Sequence, residues 1–337
     1  MNKPNLFEIG TKELAQDAFL TWLISYADNQ YIEKYKELNT LAKDFIKMMV
    51  GNNNLNIEKV YCWRQWEKID ISVTVNDKYF IIIEDKTGTN QHGNQLANYK
   101  VKAQDHCNKN NLELVCVFLK TRDDSTYTIN SVEREGYKYI SRNDLLSLFE
   151  KHSHIKNDIF IDYLDNLKNI EQQSKLYMTN FQSVKWNYLS CCGLYKELEK
   201  KVTELAEKKI IKGDINRCNW GYVPNQNGGF LGFWFYPVSA DGIEFYPIIE
   251  NYYNHGNIRA SIKVLYAKDN LDKLYKVLNI LTKNGSKYNF EIKKPAKYKK
   301  GENATAAIIK DDICGGTKED FFKDIENMLV MLDNLEI

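Results

Sequence analysis

The chain of 337 residues is long enough for one large domain or two ordinary ones, each with its own core. Hydrophobic residues make up 43% and charged residues 27%, which excludes a disordered chain. No stretch approaches the roughly 20 uncharged apolar residues that span a bilayer, and the first residues do not form a secretory signal. We therefore expect a cytoplasmic protein with no membrane partner.

Seven cysteines are scattered without CxxC spacing, which favours reduced thiols over a disulfide framework or a zinc ribbon. His152 and His154 have no Cys or His partners nearby in the sequence, so no zinc site is predicted. The net charge of +1 creates no global field of the kind that marks a nucleic-acid-binding protein. Charge is uneven only locally, in the basic and partly aromatic run Lys293–Lys300.

The N-terminal half alternates helical and strand periods, which predicts an α/β domain. Apolar i, i+4 rows over 12–27 predict a largely buried helix, and a second helix is predicted over 32–50. Residues 69–76 alternate apolar and polar side chains, the pattern of a strand with one polar face. Residues 79–83 predict a buried strand, and 76–78 predict the tight turn that makes the two strands a hairpin.

The elements that follow complete this domain and begin another. They are a polar helix at about 89–108, a buried strand at 112–119 and a short strand at 137–140. A helix follows from 141 onwards, capped by Ser141 and Asp144. We place one α/β domain at 1–150 and a connecting region at 151–182. Residues 183–337 predict helices with an antiparallel sheet, a C-terminal α+β domain for substrate recognition or dimerisation.

The hairpin makes a geometric prediction about three ionisable residues. If its turn centres on Asp77, facing residues have numbers that sum to 154, so Asp70 lies opposite Glu84. Facing residues have Cβ atoms about 4.5–5.5 Å apart and point to the same side of a sheet. Lys86 shares that side because it is two residues from Glu84, whereas Asp85 points the other way.

Two facing carboxylates repel each other unless a cation lies between them. Carboxylate oxygens suit Mg²⁺, which stabilises charge on a phosphoryl group and lowers the pKa of a bound water. A neighbouring lysine can orient or deprotonate that water, or neutralise the developing charge. The alternative is a surface salt bridge between Lys86 and Asp70 or Glu84. The apolar run 81–83 directly before Glu84 favours the catalytic hypothesis, because buried charges need a partner.

The segment Ile69-Asp70 … Ile82-Ile83-Glu84-Asp85-Lys86 resembles the PD-(D/E)XK nuclease superfamily, and the chain is similar to a bacterial branch of it. The resemblance implies a restriction-endonuclease-like fold, a mixed β-sheet core flanked by helices. It assigns metal binding and water activation to Asp70, Glu84 and Lys86. The main-chain carbonyl of Asp85 would be a further metal ligand, and Mg²⁺ the cofactor, with Mn²⁺ as a substitute. Ile69 replaces the proline of the motif.

Two further features match motifs of the same superfamily. Gln95 and Tyr99 resemble its QxxxY motif and project from one helix face. The alternative is ordinary helix-surface polarity, which would be the simpler explanation without Asp70, Glu84 and Lys86; the presence of these three favours the motif. Glu13 stands on the first helix, where the superfamily often places a glutamate facing the metal. The alternative for Glu13 is an acid stabilised by the dipole of the helix in its first turn.

The C-terminal half contains aromatic residues that could join the Lys293–Lys300 run in a DNA-binding surface. The alternative is that these aromatic residues pack within a sheet. The candidates are Trp220, Tyr222, Trp234, Tyr252 and Tyr253.

The leading hypothesis is a Mg²⁺-dependent DNA endonuclease, and the branch resemblance suggests restriction or anti-phage defence. Alternatives are an RNase with the same site, or a non-cleaving nucleic-acid-binding or regulatory module of the same fold. A duplex cut needs two active sites or two sequential nicks, and a homodimer is one way to supply two sites.

Overall fold

The computed structural model describes residues 4–87, 94–179, 181–224, 229–252, 257–267, 270–298 and 301–336. The chain divides into two compact units. The first comprises Met1–Asp123 and Ile129–Gln172, and the second comprises Asp124–Thr128 and Gln173–Ile337. Within the described ranges, no helix combines the length and apolar character that crossing a membrane requires.

The first unit is built on a five-stranded mixed sheet with strand order β1-β2-β3-β4-β5. Strands β1, β2 and β3 pair antiparallel, whereas β3, β4 and β5 pair parallel. This confirms the mixed sheet that the resemblance implies. The strands are β1 (Val60–Trp66), β2 (Ile69–Val75), β3 (Tyr79–Lys86), β4 (Glu113–Lys120) and β5 (Lys138–Ser141).

Helices cover both faces of this sheet. Apolar residues of α2, α3, α6 and α7 pack on one face, and those of α4 and α5 pack on the other. The helices up to residue 174 are α1 (Leu6–Ile9), α2 (Glu13–Ser25), α3 (Lys36–Val50), α4 (Gln95–Asn110), α5 (Thr126–Arg134), α6 (Arg142–Phe149) and α7 (Asp158–Ser174).

The predicted hairpin is confirmed in its strands, its turn and its register. The turn comprises residues 76–78, and Asn76 and Asp77 in it adopt positive φ values of 55° and 50°. The β2–β3 ladder pairs residues whose numbers sum to 154, from Val75 with Tyr79 to Ile71 with Ile83. Strand β3 continues beyond the predicted end at 83, so that the charged residues lie within the strand itself.

Helix α2 is confirmed, but the prediction about its buried face was wrong in part. Leu14 is 58% exposed and Ala18 is also exposed. The helix buries Gln16 and Asp17 instead, beside Phe19 and the apolar residues that follow. The reason is that the first turns of α2 lie against the polar end of the sheet, where carboxylate and amide groups replace the apolar core.

Residues 151–182, predicted to be a connecting region, contain α7. Its buried residues Phe160, Tyr163 and Leu167 belong to the core beneath α2 and α3. The helix capped by Ser141 is confirmed as α6, with the reciprocal Ser141 and Asp144 hydrogen bonds of a capping box. The predicted start of α4 near Thr89 lies outside the described residues, and the described helix begins at Gln95.

The second unit contains a six-stranded antiparallel sheet with strand order β11-β10-β9-β7-β6, and β8 paired to β9. Together with its helices, it confirms the predicted α+β character. Strand β11 was not predicted. The elements are α8 (Leu176–Thr179), α9 (Tyr188–Glu207), β6 (Asn219–Val223), β7 (Phe230–Trp234), β8 (Val238–Ala240), β9 (Ile243–Asn251), β10 (Ile258–Val264), α10 (Leu271–Gly285), β11 (Ala304–Lys310) and α11 (Lys318–Asp333).

The aromatic candidates of this unit do not share one environment. Trp220 is buried in the core, so its proposed place on an exposed surface was wrong. Trp234 and Tyr252 are half-buried, and Tyr222 is exposed. Tyr253 and the last two lysines of Lys293–Lys300 lie outside the described residues. The burial of Trp220 follows from its strand position, which faces the helices of the unit.

Candidate active site

The candidate site begins where the β2–β3 ladder ends. The last paired residues are Ile71 and Ile83. Beyond them, the main-chain amide of Asp85 donates a hydrogen bond to Oδ2 of Asp70 over 2.9 Å. A side-chain carboxylate therefore accepts a hydrogen bond from a main-chain donor at the end of the ladder. This bond holds Asp70 beside the last residues of β3.

The structure brings Asp70, Glu84 and Lys86 together. Nζ of Lys86 lies 2.5 Å from Oε1 of Glu84 and 3.9 Å from Oδ2 of Asp70. The Glu84 side chain is only 1% exposed, whereas that of Asp70 is 19% exposed. Solvent therefore reaches the cluster from the Asp70 side. The ion pair between Lys86 and Glu84 is buried, unlike the exposed surface salt bridge that is the alternative for these residues.

Gln95 and Tyr99 lie beside this cluster on the first turns of α4. Nε2 of Gln95 is 2.8 Å from Oε1 of Glu84 and 3.1 Å from the hydroxyl of Tyr99. Gln95 thus contacts a residue of the candidate triad directly. Tyr99 is placed one hydrogen bond further out, where it contacts the amide of Gln95.

Glu13, the first residue of α2, lies beside the residue that follows β3. Its Oε1 accepts a hydrogen bond from the main-chain amide of Thr87 over 3.2 Å. Its charge also contributes to raising the pKa of Lys86 and of Asp17. Glu13 therefore belongs to the same electrostatic cluster.

Asp85 faces the opposite side of the sheet, as strand alternation predicts, where it meets α2. Nε2 of Gln16 donates to Oδ1 of Asp85 over 2.5 Å, and Asp17 lies next to the same carboxyl group. Arg64 on β1 approaches Asp17 to within 3.9 Å. Sequence reasoning missed these three neighbours. Gln16 and Asp17 stand three and four residues after Glu13, a helical spacing that could have indicated them.

A second lysine close to the candidate site was not predicted from the sequence. Lys120, the last residue of β4, lies beside Lys86 in the parallel register and is fully buried. Paired positions of neighbouring strands project to the same side of a sheet. The feature that could have indicated it is a lysine at the very end of a buried apolar strand.

Burial and mutual repulsion shift the pKa values of the carboxyl groups upwards. Burial first, and then the charge of Asp70, raise the pKa of Glu84 to about 7. The same two causes raise the pKa of Asp17 to about 6. Burial and the neighbouring Asp17 raise the pKa of Asp85 well above its ordinary value. These carboxyl groups therefore keep their protons to a higher pH than freely solvated carboxyl groups do.

These donors fit a divalent metal ion. Oε2 of Glu84 is buried and makes no hydrogen bond to any described residue, and carboxylate oxygens are the ligands that hard divalent cations prefer. Across the described ranges, no group of three or more His, Cys, Asp or Glu side chains is arranged to hold a metal. A ligand set here would consist of two carboxylates and main-chain or water oxygens.

The first unit is thus an α/β domain with a mixed sheet. Two carboxylates and a lysine, those of Asp70, Glu84 and Lys86, meet where the pairing of β2 and β3 ends. The family model of the PD-(D/E)XK nuclease superfamily matches residues 4–182, more than half of the chain, and the chain therefore belongs to this superfamily. Membership supports a phosphodiesterase-type enzyme with a nucleic-acid substrate, and nucleases of this superfamily generally use divalent metals. Neither the curated proteins nor the solved structures contain a match.

Proposed function

We propose that the protein is a metal-dependent endonuclease that hydrolyses DNA phosphodiester bonds at Asp70, Glu84 and Lys86. The observation that carries the proposal is the convergence of these three side chains at the solvent-reached end of β2 and β3. Two carboxylates and a lysine in one buried cluster suit phosphoryl chemistry, in which charge must be stabilised and a water activated.

Asp70 and Glu84 would hold the metal ion, together with the main-chain carbonyl of Asp85. When bound, Mg²⁺ or Mn²⁺ supplies Lewis-acid stabilisation of the phosphoryl charge and lowers the pKa of a coordinated water. Oε2 of Glu84 is available for this role because Lys86 and Gln95 both contact the other oxygen, Oε1. The hydrogen bond from the Asp85 amide holds Asp70 in place.

Lys86 acts as a cation in this proposal. Burial lowers the pKa of Lys86, but the hydrogen bond and charge of Glu84 and the charge of Asp70 outweigh burial and raise it above its ordinary value. An ammonium group cannot accept a proton, so its role is to orient the attacking water or to neutralise the charge that develops on the phosphoryl oxygens.

Gln95 and Glu13 are positioning residues in this proposal. Gln95 fixes the orientation of the Glu84 carboxylate and is itself in contact with Tyr99. Glu13 fixes the main chain directly after Lys86 through Thr87. Such outer contacts orient metal ligands and are worth 10–100-fold in metal affinity or activity in other sites.

The choice of DNA over RNA, a role in restriction or anti-phage defence and a homodimeric state remain parts of the proposal. An RNase with the same site is the nearest alternative, and a non-cleaving nucleic-acid-binding module is the second. The intact set of Asp70, Glu84 and Lys86 favours cleavage over the binding module, since a degenerate site would be expected to lack at least one member.

The test incubates purified protein with supercoiled plasmid, linear DNA and RNA in the presence of Mg²⁺ or Mn²⁺. We expect DNA cleavage that EDTA abolishes and that Asp70→Asn and Lys86→Ala each reduce by at least about 100-fold, the scale of losing one charge-stabilising group. Asp77→Asn and Lys78→Ala are matched controls, because both side chains are exposed in the same hairpin. Equal cleavage by the site variants and the controls would contradict the assigned site.

A further inference from the structure

Two aromatic side chains on the edge strand of the first unit share the face on which the candidate site lies. Tyr61 and Trp63 are alternate residues of β1, so they project to the same side. Their partners on β2 are Thr74 and Ser72, which in turn face Phe80 and Ile82 on β3. We call Tyr61 and Trp63 the aromatic row.

The aromatic row leads along β1 towards Asp70. In the β1–β2 register, facing residues have numbers that sum to 135, which places Gln65 opposite Asp70. Nε2 of Gln65 lies 3.4 Å from Oδ1 of Asp70. Trp63 is opposite Ser72, which is two residues, or about 7 Å, from Asp70 along β2. The aromatic row is therefore continuous with the candidate active site.

Both rings of the aromatic row are accessible. Tyr61 and Trp63 are each 46% exposed, and their ring centroids are 6.2 Å apart with an interplanar angle of 38°. On this face α4 packs against β3 and β4, where Phe80, Ile82 and Phe118 form a buried layer with its apolar side chains. The β1 side of the face presents the two rings to solvent.

The simplest alternative is that the rings only pack against the sheet. Neither Tyr61 nor Trp63 belongs to a hydrophobic cluster of the described residues, and their cross-strand partners are small and polar. Trp66, on the same strand, behaves differently: it packs on Phe80 with ring centroids 5.0 Å apart and joins the buried layer. Packing thus accounts for Trp66 but leaves the aromatic row unexplained.

We propose that the aromatic row is a stacking platform for unpaired bases of the substrate, so that the protein acts on single-stranded nucleic acid or on single-stranded segments. The inference rests on the proposed nuclease function and names its substrate class. Side chains can stack on bases only where the bases are unpaired or splayed out, and exposed rings on a β-sheet are a recurrent platform for them.

Trp63 is the principal residue of this platform. The ammonium of Lys59 lies over the Tyr61 ring, 5.0 Å from its centroid, and so occupies part of that ring's surface. Lys59 also pairs with the exposed Asp77, a surface contact that a phosphate could replace. The larger indole of Trp63 lies nearer to Asp70 and offers the stronger stacking surface.

The test measures binding separately from cleavage. Lys86→Ala serves as the background, and fluorescence anisotropy follows labelled oligothymidylate, oligouridylate and a blunt DNA duplex in Ca²⁺. Trp63→Ala should weaken single-strand binding by about 5- to 150-fold, the range for one stacked base. Trp63→Phe, which keeps an aromatic ring, should retain most of the affinity for single strands. Tyr266→Ala is the control, since Tyr266 is an exposed aromatic residue of the second unit.

Salt dependence distinguishes stacking from phosphate contact. Loss of a stacked base should leave the slope of affinity against salt unchanged, whereas loss of a phosphate contact lowers it. The proposal is overturned if Trp63→Ala binds single strands as tightly as Tyr266→Ala does, or if duplex binding falls equally. The DNA and RNA arms identify which single strand is bound. If Trp63→Ala loses single-strand binding but wild type cleaves nothing, the platform stands and the nuclease proposal fails.

Discussion

The main-chain amide of Asp85 donates to the carboxylate of Asp70, and this one bond couples the ends of β2 and β3. The donor belongs to the backbone of β3, the strand that carries Glu84 and Lys86. Asp70 is therefore fixed to the backbone of β3, in addition to its contact with the flexible side chain of Lys86. Two like charges are thereby kept close together at a permanent electrostatic cost. Such an arrangement is stabilised by any cation that binds between them.

Metal binding should therefore stabilise the folded protein. We expect Mg²⁺ or Mn²⁺ to raise the midpoint of thermal unfolding and EDTA to reverse the rise. At a metal concentration of 100 times Kd, the free energy of unfolding should increase by about 2.7 kcal/mol. Asp70→Asn keeps an oxygen that accepts the Asp85 amide but removes a charge, so it should fold and lose the metal-dependent shift. Asp77→Asn should keep the shift. A metal-induced shift in Asp70→Asn equal to that of wild type would contradict the assignment.

Loss of the Gln95 side chain should lower metal affinity or activity and leave the fold intact. Gln95→Ala removes the amide that orients Oε1 of Glu84, so we expect metal affinity or activity to fall 10–100-fold. Titration of Mn²⁺ by calorimetry measures the first quantity, and a metal-dependence curve of cleavage measures the second. Asn98→Ala is the control, because Asn98 is exposed on the same helix. Equal metal affinity in the two variants would show that Gln95 has no such role.

Asp17 should make the metal-free protein less stable as pH rises. Burial and the charge of Asp70 raise its pKa from 3.8 to about 6, so between these values the folded state binds more protons than the unfolded state. Stability from this group is therefore fully present below pH 3.8 and is lost as pH rises through about 6. Asp17→Asn removes the cost, which is up to about 3 kcal/mol at pH 8.

Urea unfolding in EDTA at pH 4 and pH 8 measures this effect. We expect the free energies of unfolding of wild type and Asp17→Asn to be similar at pH 4, and the variant to be more stable at pH 8. Asp77→Asn, at an exposed position of the hairpin turn, should match wild type at both values. A variant that is less stable than wild type at pH 8 would refute the electrostatic account of this cluster.

The hairpin could be predicted from the sequence because its rules are local. The short turn at 76–78 sets the register, and strand alternation then sets which side chains share a face. The proximity of Asp70, Glu84 and Lys86 follows from these two rules. The same rules placed Asp85 on the opposite face, where it meets Gln16.

Strand β1 and the buried polar face of α2 could not be predicted in this way. In β1 the exposed face carries aromatic residues, so the alternation of apolar and polar side chains that indicates a half-buried strand is absent. In α2, period alone cannot show that Gln16 and Asp17 are buried, because their burial depends on carboxylate and amide partners far away in the sequence. The burial of Trp220 could not be predicted for a related reason, since a pattern of aromatic residues does not reveal which side of a sheet the helices cover.

Arg142 should be essential for the stability of the first unit. Its guanidinium is buried, lies 2.8 Å from Asp123 and 2.7 Å from Glu171, and donates to the carbonyl of Thr121. Arg142→Ala leaves two carboxylates without this partner in a buried place, so we expect a loss of about 3–5 kcal/mol in the free energy of unfolding. Urea titration followed by circular dichroism measures the loss. Arg134→Ala, an exposed position on α5, should stay within about 0.5 kcal/mol of wild type. A loss below about 1 kcal/mol for Arg142→Ala would mean that water reaches the two carboxylates and that the cluster is not a buried ion pair.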